Sequence, residues 1–446
     1  MCTNKNILRL VWPLIISGFG QSIVYVTDIL FLGRLGEVAL GASAIAGLFY
    51  ASVMMIGSGI SSGLQVLIAQ KTGEKKYPET HIYLLNGIFL QGIIAILLSS
   101  LYLVFHTLLL SVFVQNPEIQ SATKTILNIR ILGTFPYFLL YAYRAYYLGI
   151  GQTKIISLIT IFMSILNIAL NPLLIYGWEG FINPLKYAGS AWASVISETV
   201  STGIIMLYYS LQKKSSQFFS STYLTVYLTV WKNILQTSLP LIFQHFISVF
   251  SWFLFFVFIE KMGTTNLAVS NIIRAVYILI MTPILAFSHI TVTIIGQLYG
   301  AKNFSSIAPS LWRIIQLSIL FIIPFSILAF FQPYWLMSIF TNNMYLMHIG
   351  KPVMQIISFA LLYFALSMPI LSAVTGLGDT HKALWIECMA FIIYTGMTLL
   401  GIAVLKLSLP LVWCNEFVYF TCIAFLSYYF FNKKLKKLIS GQPIKV

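Results

Sequence analysis

The stretch "WPLIISGFGQSIVYVTDILFLGRLG", Trp12 to Gly36, carries one carboxylate, Asp28, and nothing charged lies between Arg9 and that residue. Moving a carboxylate from water into hydrocarbon costs several kcal/mol unless it is protonated, paired or lining a wet cavity. Asp28 therefore has to be accounted for by something elsewhere in the chain.

The surrounding composition sets the solvent. Of 446 residues, 59% are hydrophobic and 8% charged, against ~45–50% and ~25% in soluble globular domains, and the mean hydropathy is +0.89. So few charges cannot build a soluble surface, which makes this an integral membrane protein with the lipid bilayer as its main partner. The net charge of +15 does not indicate nucleic acid. Its basic residues sit in short clusters between apolar runs, as cytoplasmic loops do. Cys2, Cys388, Cys414 and Cys422 have no metal or redox spacing. The first apolar run, about Ile7 to Leu32, is too long for the core of a signal peptide and shows no cleavage site.

A spanning helix needs ~20 mostly apolar residues. Twelve such segments are expected, roughly 7–33, 40–69, 81–105, 122–148, 155–177, 187–211, 233–259, 266–297, 311–331, 350–376, 384–405 and 409–431. An even number places both termini on one side. If that side is the cytoplasm, most of the 26 Lys and Arg fall on inner ends and loops, including Lys71, Lys75, Lys76 and the cluster Lys433, Lys434, Lys436 and Lys437. Arg34, Lys124, Arg130, Lys186, Lys261, Lys351 and Lys406 then fall outside, and Arg274 lies within a helix.

The chain repeats itself. Pro13-Leu14-Ile15 recurs as Pro240-Leu241-Ile242, 227 residues on. The same offset carries Gly36 to Gly263, Gln70 to Gln297, Gly73 to Gly300 and Lys75 to Lys302. It also carries "GIGQT" (Gly149 to Thr153) onto "GLGDT" (Gly376 to Thr380). The expected fold is thus an all-α membrane protein of twelve transmembrane helices in two parallel six-helix repeats around a central cleft. The expected organisation is an N-terminal lobe at 1–211, a cytoplasmic linker at 212–232 and a C-terminal lobe at 233–446 with a short basic tail. Parallel repeats of this kind are a transporter architecture with substrate handled between the halves. Pro13 and Pro240, inside the first helix of each half, each remove a backbone hydrogen bond. They mark either bending points or tolerated packing prolines.

Helix geometry then groups the polar residues. Asp28 lies ~6–9 Å below the outer end of the first helix, and Ser194 ~10 Å below the outer end of the sixth. Asn167 and Asn171, four apart in "NIALNPLLIYG", share one face of the fifth helix at that level. Glu198 follows one turn deeper than Ser194, and Gln21, Tyr25 and Asp28 share a stripe. A carboxylate, two amides and a hydroxyl suit a hard monovalent cation or a proton. The alternative is an interfacial aspartate with Asn and Ser knitting helices together.

At these residues the sequence resembles the multidrug and toxic compound extrusion (MATE) family, over essentially its whole length. The resemblance rests on "WPLI", "VTDILFLGRLG", "GLQVLIAQKTGEKKY", "LGIGQTK", "NIALNPLLIYG", "GSAWASVIS", "IIGQLYGAKN" and "GLGDTHKA" in that order. It implies two lobes facing a cleft, and export of organic cations and drugs in exchange for sodium or protons. In one branch it implies an N-lobe cation site, whose motif falls here on Asp28, Asn167, Asn171 and Ser194, a possible Na+ or H+ site. Asn171 stands where the family commonly has Asp, and Ser194 where it commonly has Thr. Glu198 is a candidate for the missing carboxylate. The other branch places an acid in the seventh helix, and here that position is Ser248, so an acidic site is not expected there. His245 and His289 read as core contacts.

The expected mechanism is alternating access, with no cofactor beyond the coupling ion. A cation neutralises Asp28, the first helix bends and its cavity collapses. One inward charge is worth ~2.3 kcal/mol per 100 mV. Walls for flat cations should be aromatic, with Tyr25, Tyr137 and Tyr141 as candidates. A bacterial cytoplasmic-membrane monomer is expected. Two rivals stay open. A lipid-linked oligosaccharide flippase would want cleft bases such as Arg144 or Arg274. A receptor or scaffold would want a soluble effector region. No catalytic order or phosphate-loop lysine suggests an enzyme. The roles of Glu198, Glu387 and Glu416 stay undetermined.

Overall fold

A computed structural model describes residues 3–178, 181, 183–212 and 226–440. Twelve helices among them are long and apolar enough to cross a membrane, and the chain is a multi-pass membrane protein. In chain order they are α1 (Asn4–Gly33), α2 (Glu37–Gly73), α3 (Tyr77–Phe113), α4 (Pro117–Gly149), α5 (Thr153–Tyr176) and α6 (Tyr187–Leu211). The second half continues with α7 (Leu228–Glu260), α8 (Thr264–Gly300), α9 (Ile307–Phe331), α10 (Met344–Gly376), α11 (Thr380–Leu399) and α12 (Asn415–Ile439). A π-turn, Leu400–Val404, closes α11, and a short helix, Leu409–Trp413, leads into α12.

Several helices run past the apolar windows that predict them. A bilayer demands only that its hydrocarbon be crossed, and the helix then continues until a cap stops it. Asn116 caps α4, its Oδ1 accepting from the backbone of Glu118 (2.9 Å) and Ile119 (3.3 Å). Asn343 does the same for α10 through Tyr345 (3.0 Å) and Leu346 (3.3 Å). These caps lie six and seven residues outside the predicted starts, which took no account of them.

The repeat is one of backbone conformation as well as of residue type. Gly36 and Gly263 have φ of +109° and +107°. Gly151 and Gly378 have +78° and +84°, and Lys75 and Lys302 have +60° and +55°. Left-handed backbone is uncommon for a lysine, so its recurrence at the repeat spacing shows that the two loops are folded alike.

The chain forms two compact units. One comprises residues 16–68 and 76–238; the other comprises 1–15, 69–75 and 239–446. These boundaries depart from the sequence halves at 1–15 and 69–75. The expected linker at 212–232 lies largely outside the described residues, since 213–225 are not among them. The first unit has a core that includes Tyr50, Met54, Leu127 and Phe138. The second is built around Phe255, Tyr277, Tyr394 and Trp413.

Within the second unit the ends of α2 and α8 cross so closely that glycine is required on both. A Cβ on Gly73 would stand 2.0 Å from the carbonyl oxygen of Gln297, and one on Gly300 would stand 1.9 Å from that of Gln70. Gly73 and Gly300, like Gln70 and Gln297, are repeat mates, so the crossing is reciprocal.

Gly300→Ala should therefore force the two backbones apart and cost about 1–3 kcal/mol, read as a lower thermal midpoint of the detergent-purified protein. Gly203→Ala, where an added Cβ meets nothing within 4 Å, should leave the midpoint unchanged or raise it.

Candidate cation-binding site

Three helices of the first unit deliver four polar side chains to one place. Asp28 comes from α1, Asn167 and Asn171 from consecutive turns of α5, and Ser194 from α6. Asn171 Nδ2 donates to Asp28 Oδ1 at 2.6 Å and to Asn167 Oδ1 at 3.0 Å. Asn167 Nδ2 in turn donates to Ser194 Oγ at 3.2 Å. The amides thus form a directed chain that ends on the carboxylate at one side and the hydroxyl at the other.

Asp28 is half-buried, Asn167 is buried and Asn171 is 0% exposed. Asp28 makes no ion pair among the described residues, and the carbonyl oxygen of Asn171 is buried without a hydrogen-bond partner. A buried carbonyl left unpaired loses roughly 1–3 kcal/mol, unless something electropositive meets it. The donor set is carboxylate, amide carbonyl and hydroxyl, the oxygen ligands that a hard cation takes. Among the described residues no cluster of three His, Cys, Asp or Glu is placed to hold a metal.

The auxiliary residues go elsewhere. Tyr25 is 69% exposed and makes no hydrogen bond to the cluster among the described residues. Gln21 lines a separate cavity of the same unit with Tyr137, Tyr141, Arg144, Thr160 and Met163. There Tyr137 and Tyr141 pack edge to face at 4.9 Å.

Glu198 is not the missing carboxylate of the Asn171 position. Its Oε1 accepts from Arg130 Nη1 at 3.0 Å and its Oε2 from the Tyr50 hydroxyl at 3.4 Å. The Arg130 guanidinium also lies 3.9 Å over the Tyr50 ring. Arg130 is not at an outer helix end, as its place in the charge tally assumes. It lies ~20 Å along α4, its side chain 17% exposed. The signal was present in "ILNIRILGTF", where apolar residues flank the arginine on both sides.

Residues 13–173 and 240–400 each match the MatE family, and the two matched stretches stand in the 227-residue register of the repeat. The chain is similar to a protein named "Probable multidrug resistance protein NorM" from Agrobacterium fabrum, 26% identical over 312 residues, or 68% of this chain and 65% of the relative. A protein of the same name from Thermotoga maritima is 24% identical over 378 residues, 84% and 81% of the two chains. The fold superposes on a solved structure described as the outward-facing conformation of a multidrug resistance MATE family transporter, with a TM-score of 0.88 at 19% identity. That superposition covers 98% of this chain and 96% of the other.

Removing one member of a buried ion pair strands the other, at about 3–5 kcal/mol. Arg130→Met alone should thus lower the thermal midpoint sharply, while Arg130→Met with Glu198→Met should recover most of the loss.

Proposed function

The chain belongs to the MatE family, and from that footing we propose that it is a cation-coupled antiporter that exports small organic cations and drugs by alternating access. It is a transporter, not an enzyme. The observation that carries the coupling is the state of Asp28: a half-buried carboxylate without an ion pair, held by Asn171 at 2.6 Å beside an orphaned amide carbonyl. The substrate class follows from the multidrug-resistance names of the relatives. The chain acts as a monomer in a bacterial cytoplasmic membrane, both termini inside.

The coupling ion is sodium or a proton. One carboxylate balances one unit charge, and the Asn at position 171 leaves the site with that single negative charge. Loading brings the pocket to neutrality, and an uncharged pocket no longer needs water around it. The cavity then closes by bending of α1. Its proline supports this, since Pro13 removes a backbone donor and the boundary between the compact units falls within α1 just after it, between Ile15 and Ile16. In α7 the boundary falls between Ser238 and Leu239, next to Pro240. Tyr137 and Tyr141 supply aromatic faces for a flat cation.

A second reading has one observation behind it. Arg144 lines the cavity with Gln21, Tyr137 and Tyr141 and makes no ion pair among the described residues, which suits a phosphate-bearing lipid-linked oligosaccharide.

Dye efflux in everted vesicles, under a proton or a sodium gradient imposed separately, tests the proposal. Transport should be driven by one gradient and abolished by Asp28→Asn in a protein that still folds. Efflux retained in that variant overturns the role of Asp28, and no dye movement in wild type under either gradient favours the lipid substrate. Asn171→Asp should raise sodium affinity at least about tenfold by adding a second carboxylate, measured as 22Na binding to the purified protein.

A further inference from the structure

The repeat register assigns each residue of the cation site a mate in the second half. Asp28 maps to Phe255, Asn167 to Tyr394 and Asn171 to Thr398. The mates contain no carboxylate, yet one arrives from another helix. Glu416, near the start of α12, is 1% exposed. Its Oε1 accepts from the Tyr394 hydroxyl at 2.7 Å and its Oε2 from that of Tyr277 at 3.5 Å. The Trp252 ring of α7 packs against that of Tyr277, centroids 5.6 Å apart. Phe255 packs against the same Tyr394, ring centroids 5.5 Å apart.

The neighbouring Asn415 completes the likeness. Its Nδ2 donates to the Thr398 hydroxyl at 2.6 Å and to the Tyr394 carbonyl at 2.7 Å. Its own carbonyl oxygen is buried and unpartnered, as is that of Asn171. Each half therefore holds a carboxylate beside an amide with an orphaned oxygen, assembled from different helices.

A second carboxylate extends this group. Glu387 of α11 is also 1% exposed and accepts from the Tyr419 hydroxyl. The Ser248 hydroxyl of α7 lies 3.5 Å from that of Tyr419. Tyr419 and Tyr394 are neighbours, with ring centroids 5.2 Å apart. The acid-free position Ser248 thus touches the tyrosine that holds an acid supplied by α11.

The groups around the two carboxylates are Trp252 and Ser248 from α7, Tyr277 from α8, Tyr394 from α11 and Tyr419 from α12, with the thiols of Cys388 and Cys422 within their field. Phe364 of α10 closes the side of Tyr277. Neither Glu387 nor Glu416 makes an ion pair among the described residues. Two desolvated carboxylates without a cation are stable together only if protonated. Their partners are tyrosine hydroxyls that donate their O–H to the carboxylates, so the arrangement suits a proton rather than sodium.

We propose that the C-terminal half carries its own proton-binding centre, the buried chain Glu416–Tyr394–Tyr419–Glu387, separate from the site at Asp28. The centre takes up a proton on a carboxylate oxygen and no other covalent bond changes. Its use in coupling rests on the antiporter reading above; its existence does not.

The test is infrared difference spectroscopy of the full-length protein in lipid, titrated in sodium-free H2O and D2O. Asp28→Asn should retain a deuterium-sensitive carboxylic C=O band. Glu416→Gln in that background should remove roughly half of it, and Glu387→Gln with Glu416→Gln all of it, since the two buried acids carry it between them. Tyr394→Phe, which keeps the ring and the fold, should shift the band to higher frequency by removing a hydrogen bond. A band unchanged by Glu416→Gln and by Tyr394→Phe, or absent once Asp28 is replaced, overturns the centre. Failure of the antiporter reading shows separately, as wild-type vesicles that move no dye under either gradient.

Discussion

Inside a bilayer there is no water to solvate a charge, so each ionisable side chain must find its partner within the protein. This chain meets the demand in three ways. Glu198 is matched by a guanidinium, Asp28 by an amide chain, and Glu387 and Glu416 by tyrosine hydroxyls. The consequences differ. A carboxylate closed by arginine is already neutral as a pair, and it has no need of an ion from solution. A carboxylate closed only by neutral donors keeps its charge uncompensated and is completed by a cation or proton. The same desolvation that makes the first arrangement structural is what the proposals made for the other two rely on.

The two halves show what a repeat retains and what it releases. The retained features are backbone ones: the left-handed turns at Gly36 and Gly263, at Lys75 and Lys302, and at Gly151 and Gly378. The reciprocal crossing of Gly73 and Gly300 belongs with them, because neither position has room for a Cβ. Changes there would alter helix placement. The polar groups have drifted instead, with Asp28 on α1 in one half and Glu416 on α12 in the other. A buried carboxylate depends on what surrounds it, and the helix that carries it is free to change.

Much of this was legible in the sequence. Apolar windows located all twelve spans, and the unbroken 227-residue offset located the repeat. The four-residue spacing of Asn167 and Asn171, with the depths of Asp28 and Ser194, was enough to bring those residues together. Other features depended on rotation and crossing, which periodicity does not report. Tyr25 shares a helical stripe with Asp28 and is nonetheless 69% exposed. Glu198 lies one turn from Ser194, yet its side chain is claimed by Arg130 from α4, and Arg130 was misread because charge counting treats arginine near a helix end as interfacial. Glu387 lies about two turns into α11 and Glu416 in the first turn of α12, places at which sequence alone does not separate an interfacial acid from a buried one.

The charge states fit together. Arg130 and Glu198 cancel, although the field of each reaches Asp28. In the proposed cycle, what varies in the first unit is thus the occupancy of Asp28 alone, a change of one unit charge on a helix that contains a proline. An additional fixed cation near Asp28 would hold it permanently neutral and remove any dependence on an ion. A second carboxylate without compensation would keep the pocket charged after one ion had bound. On the proposed reading, a single carboxylate without an ion pair, its neighbouring arginine already engaged by Glu198, is what lets one monovalent ion switch the pocket between charged and neutral.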